Sequence, residues 1–145
     1  MKYLSLVALV GLSLVGTAEA ACTQASAKGT WMTYQAAFVG TPDGAQHVGQ
    51  CKLVLDKMGI VQEFGKDEIV LSSCTFYLDT VTAGPFSTSG QVTVNKDCSV
   101  TIGLTLGDFV GQAYMTTSKN AWTGRFSVQD NDGISGVTNA VKIAN

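Results

Sequence analysis

The chain has 145 residues, of which 46% are hydrophobic and 14% charged, and a formal net charge of −2. Nucleic acid demands a basic stripe that displaces counterions from phosphates, and a chain with one arginine, Arg125, and no cluster of either sign does not offer one. No amphipathic segment carries a basic face, which leaves binding to a membrane surface without a basis.

At the amino end Lys2 precedes an apolar run from Tyr3 to Val15, and Ala18-Glu19-Ala20 supplies the small residues of a cleavage site. This pattern predicts a secretory signal over residues 1–20, cut after Ala20, and a secreted or periplasmic location. The run is too short to span hydrocarbon, so no membrane span is expected. Glu19 stands where a lipobox would want a branched apolar side chain, so Cys22 is not read as a lipidation site. Removing Lys2 and Glu19 with the signal leaves the net charge at −2. Residues 21–145 make one domain with a single core.

All four cysteines, Cys22, Cys51, Cys74 and Cys98, fall after the cut. An even number in an exported chain points to two disulfides, and four cysteines allow three connectivities. The expected pairing is Cys51 with Cys74 and Cys22 with Cys98. Structural metal sites need ligands at short spacing such as C-x-x-C, which these positions lack, so no metal is expected.

The first strand is predicted over Lys28 to Val39, rich in aromatic and β-forming residues, and ends at the turn Gly40 to Gly44. Trp31, Ala37 and Val39 share one of its faces; Met32, Tyr34, Ala36 and Phe38 share the other. His47 to Leu55 alternates around Cys51, Leu53 and Leu55, turns at Asp56-Lys57-Met58-Gly59 and returns through Ile60, Val61 and Phe64. Ile69 to Leu78 follows, with Val70, Ser72, Cys74, Phe76 and Leu78 on one side, and Ala83-Gly84-Pro85 reads as its end.

Gly90 to Leu106 is the clearest stretch. Val92 and Val94 alternate with polar residues, as do Val100, Ile102, Leu104 and Leu106, and Asn95-Lys96-Asp97-Cys98 joins the two runs as a hairpin. Phe109 to Thr117, Ala121 to Gln129 and Ile134 to Ile143 complete the chain. Eight or nine strands joined by tight turns hide their edges best by closing, so the predicted fold is an all-β, antiparallel up-and-down barrel, with a two-sheet sandwich as second choice.

Gly29-Thr30-Trp31, opening the first strand of such a meander, resembles the G-x-W of the calycin superfamily, which includes lipocalins, fatty-acid-binding proteins, avidins and small bacterial protease inhibitors of similar barrel shape. The resemblance implies that Trp31 closes one end of the barrel and that a basic residue from the last strand packs across it. Arg125 is placed one strand before the last; Lys142 is the basic residue near the end.

Chemistry is sparse. His47 is the only histidine, placed at the entry to the second strand, and no G-x-S-x-G elbow accompanies it. Glu63, Asp67 and Glu68 gather around a turn rather than a cleft. Asp130-Asn131-Asp132-Gly133 imitates part of a calcium loop, yet no acid follows Asp132 to finish it, and the same residues suit a hairpin turn. The expectation is a protein that is not an enzyme and uses no cofactor.

Two functions fit. The first is a binding module for a small apolar or amphipathic ligand, with Trp31, Tyr34, Phe76, Tyr114 and Trp122 as candidate contacts. The second is a protein-interaction role, as inhibitor of an exported hydrolase or subunit of an extracellular surface assembly, favoured by a solid core with an exposed apolar patch. The oligomeric state and the exact ligand are open at this level.

Overall fold

The computed structural model describes residues 21–38, 46–78, 81–128 and 134–145. The signal segment and the turns Gly40 to Gly44 and Asp130 to Gly133 lie outside the described residues.

Ten strands follow one another: β1 Gly29–Phe38, β2 Gln46–Leu55, β3 Ile60–Val61, β4 Ser73–Leu78, β5 Val81–Ser87, β6 Gly90–Val94, β7 Ser99–Leu104, β8 Phe109–Met115, β9 Ala121–Val128 and β10 Ser135–Ala144. All pairings are antiparallel, and eight of the strands close into a ring in the order β1, β10, β9, β8, β7, β6, β3, β2 and back to β1. The predicted barrel is the observed one. Among the described residues no helix is long and apolar enough to cross a membrane.

The register gives the barrel its shape. From Ala37 it passes through Gly136, Phe126, Gly111 and Ile102 to Val92; from Gly90 it passes through Val61 and Leu55 to Gly29. The eight residues from Gly29 to Ala37 and the two from Gly90 to Val92 make a stagger of ten. Eight strands enclose an interior just wide enough for side chains or one small ligand.

Alternation fixes what points inward. Along β8 every second residue is buried, Phe109, Gly111, Ala113 and Met115, and the same parity buries Val100, Ile102 and Leu104 on β7. The Gly90–Leu106 hairpin forms as its pattern requires, with Val94 opposite Val100. Its turn is held by Asp97, whose carboxylate accepts hydrogen bonds from the Ser99 backbone N–H at 3.0 Å and hydroxyl at 2.7 Å.

Two segments depart from the sequence reading. The strand predicted from Ile69 begins only at Ser73, and Val70, placed with Cys74 on an inner face, is exposed. Ala83-Gly84-Pro85 ends nothing; it lies inside β5, an extra strand that pairs with β4 alone. Proline lacks the N–H that a second neighbour would need, so an edge strand accepts it. The β4–β5 hairpin thus leaves the ring where β2 exchanges β3 for β4. Buried Ser72 ties that fork: its hydroxyl accepts from the Val54 N–H at 2.9 Å and donates to the Gln62 carbonyl at 2.7 Å.

The end of the barrel where β1 begins, the lower end below, is plugged by a 3₁₀ turn at Gln24–Ala27 that the sequence reading did not foresee. Gln24 behaves there as a short piece of strand: its Nε2 donates to the Val92 carbonyl at 2.7 Å and its Oε1 accepts from the Val94 N–H at 2.9 Å. Gly59 makes room for it. At φ +77° and with a notional Cβ 2.0 Å from the Val92 carbonyl oxygen, this turn admits only glycine. Both predicted disulfides form: Cys22–Cys98 binds the plug to the β6–β7 turn, and Cys51–Cys74 joins opposed residues of β2 and β4.

Candidate functional site

Trp31 and Trp122 form the floor of the barrel. Both are buried, and their rings meet with centroids 4.0 Å apart at 30°. Trp31 Nε1 donates to the Ala27 carbonyl of the plug at 2.7 Å. Lys142, opposite Trp31 on β10, lays its ammonium 4.9 Å from the Trp31 ring centroid and donates to the Ser26 carbonyl at 3.0 Å. Burial pushes the Lys142 pKa below its ordinary value. The cation over the indole face is favourable in itself, because the ring quadrupole is negative there. The expected basic partner from the last strand is therefore Lys142, while Arg125 points outward from β9.

One layer of the interior runs along the register as Cys51, Thr33, Ala140, Trp122 and Met115. Within it, Thr33 Oγ1 and Trp122 Nε1 are buried with no hydrogen-bond partner among the described residues. They stand on either side of Ala140, on β1 and β9. A buried donor or acceptor left unsatisfied costs about 1–3 kcal/mol, so two in one layer need a reason.

The next layer up reads Phe76, Gly49, Gln35, Thr138, Gly124 and Ala113. Gln35 and Thr138 are buried polar residues, and Gln35 Nε2 makes only a weak contact, 3.5 Å to Cys51 Sγ. Phe76 lies against Gly49, where a Cβ would come within 2.9 Å of its ring. Above these, Phe109 and Phe126 stack with centroids 4.8 Å apart. The interior thus has an aromatic floor, a middle of small and polar side chains, and aromatic groups nearer the upper end.

The five aromatic candidates divide. Trp31 and Trp122 make the floor, and half-buried Phe76 lies against the core at the middle layer. Tyr34 and Tyr114 are 52% and 66% exposed, on the outer face, and do not line the interior. Parity is the reason: Tyr34 is odd to Trp31, and Tyr114 is odd to Phe109. The same parity carries Thr33 and Gln35 inward with Trp31, a signal the sequence held but whose polar side chains argued against it.

His47 belongs to β2, opposite Ala37 and Leu78; its side chain lies outside the described residues. Glu63 accepts a hydrogen bond from the Ser87 hydroxyl at 2.7 Å, and Asp67 and Glu68 are exposed at a turn. Among the described residues no three His, Cys, Asp or Glu groups gather as a metal site would require.

No family model matches the sequence, and no curated protein matches it. Among solved structures the chain is similar to one described as "Structure of EF1p2_mFAP2b bound to DFHBI", at 18% identity, covering 83% of this chain and 98% of that one, with a TM-score of 0.48.

Proposed function

We propose that this protein is an exported, calycin-like binding module that holds one small amphipathic molecule inside the barrel. Its polar end takes the hydrogen bonds that Thr33 and Trp122 leave unmade, and its apolar body lies among Phe76, Phe109 and Phe126. The observation that carries this reading is the pair of orphaned polar atoms flanking Ala140, beneath a layer rich in glycine, alanine and threonine. Small side chains yield space to a guest that larger ones would occupy. The G-x-W opening and the Lys142 ammonium across Trp31 support the calycin-like reading. Paired cysteines and the amino-terminal signal pattern support export. The role is binding and not catalysis.

The test is to produce the chain in an oxidising compartment and record its intact mass under native conditions, before and after denaturation. The expected result is a small-molecule mass that is lost on denaturation, with lower occupancy by about tenfold in Thr33→Val. An apo mass, together with tryptophan emission unmoved by a panel of amphipathic probes, overturns it.

One observation favours a protein partner as second reading. Phe64, Ile69 and Val70, on the segment between β3 and β4, are 50%, 63% and 48% exposed, an apolar group of the kind that a partner covers. A discrete complex of the apo protein that dissolves on Ile69→Lys supports that reading.

A further inference from the structure

Arg125 is the only arginine of an acidic chain, and it stands exposed on the outer face of β9. Its Nη2 donates to Gln112 Oε1 across the β8–β9 register at 3.3 Å, and among the described residues no acid pairs with it. This hydrogen-bonded pair is shared by two shallow clefts of about 520 and 620 Å³, which flank it on either side. Ser99, Thr101 and Tyr114 line the first; Ser127, Ser135 and Val137 line the second. Among the described residues no acidic side chain lines either.

The register extends the surface sideways. Tyr114, Thr123, Asn139 and Tyr34 lie in one row across four neighbouring strands, so the two exposed tyrosines stand three strand spacings apart, about 14 Å. Between and beside them are hydroxyl and amide groups.

We infer that this face binds an acidic polysaccharide through its carboxylates, with Arg125 as the anion anchor and Tyr114 as a stacking platform. A guanidinium offers a planar fork that matches a carboxylate, and a cation with no acid beside it among the described residues supplies the charge complementarity. Hydroxyls and amides both donate and accept, as the hydroxyls of a sugar do. A tyrosine ring lying open presents an apolar face to the C–H side of a pyranose, with its own hydroxyl at the rim. A phosphate polymer is the poorer fit, since a single cation does not make the stripe that nucleic acid needs. This site is separate from the interior one, and its test does not depend on that reading.

The experiment titrates the full chain, in low and high salt, with polygalacturonate oligosaccharides and with the same oligosaccharides after reduction of their carboxyl groups. Binding of the acidic form only, weakened by salt and lowered about tenfold or more in Arg125→Gln, is the expected result. Tyr114→Ala lowers it further, and both variants keep the parent's thermal midpoint because each residue is exposed. Equal binding of the reduced sugar, equal binding by Arg125→Gln, or no binding at all overturns the proposal. So does anionic phospholipid vesicle binding as strong as that of the sugar, which marks a general anion surface.

Discussion

The plug at the foot of the barrel and the layer directly above it are built to different standards of completeness. At the lower end the Trp31 N–H, the Lys142 ammonium and the Gln24 amide each meet a backbone partner, and a disulfide fastens the plug that supplies two of those partners. One layer higher, Trp122 and Thr33 are as deeply buried and meet none. Where the chain is only required to stay folded, polar groups are satisfied. Where it leaves them unsatisfied, stability is given up, a cost that the proposed guest would offset.

Cutting the lower end loose separates the two most sharply. Cys22–Cys98 closes a span of 76 residues and Cys51–Cys74 one of 23, so chain-entropy arguments assign losses of roughly 4.5 and roughly 3.4 kcal/mol to their removal. Urea unfolding of Cys22→Ser/Cys98→Ser and Cys51→Ser/Cys74→Ser reads both, and the first pair is expected to lie lower. Gln24→Ala comes next: it strands the Val92 carbonyl and Val94 N–H and is expected to cost about 1–3 kcal/mol in the same measurement.

Thr33→Val inverts the sign. Removing an orphaned hydroxyl while keeping the shape leaves the apo protein as stable or more stable, by up to about 1–3 kcal/mol, as calorimetry of the unliganded chain would show. A destabilised Thr33→Val would mean that the hydroxyl is already satisfied, and the contrast between the plug and the layer above it would go.

The smallest effect is one of pH. Burial lowers the folded-state pKa of Lys142, so the unfolded chain holds that proton more tightly. The cost of burying the charge is therefore in force at neutral pH and is relieved as pH climbs from the folded pKa to the ordinary lysine value of 10.5. Unfolding free energy followed through that window rises in the parent and not in Lys142→Met.

Much of the frame was legible because half-buried strands advertise themselves. The hairpin read over Gly90–Leu106 forms as far as Leu104, with Leu106 opening a 3₁₀ turn, and the G-x-W strand and both cysteine pairs stand as read. β5 was not legible, because an exposed edge strand has no buried face to impose alternation and its proline imitates a stop. Ile69 and Val70 read as strand because apolar residues usually seek the core, and here they do not. The site was harder than the frame. Thr33, Gln35 and Thr138 are polar residues on inner faces, and polarity is the usual mark of an outer one. Tyr34 and Tyr114, chosen for being aromatic, belong to the outer surface.

Lys119 Nζ donates to the Ala21 carbonyl at 3.2 Å, and Ser26, Lys142 and Asn145 line one shallow cleft with it. Ala21, where the described residues begin, and Asn145 thus lie at a single pole, the one stoppered by Trp31. A tether, affinity tag or surface linker joined at Asn145 would hang from that pole, leaving the opposite end of the barrel facing the bulk. A molecule anchored this way would stand on its plugged foot, and immobilised protein should leave the upper end as accessible as it is in the free form.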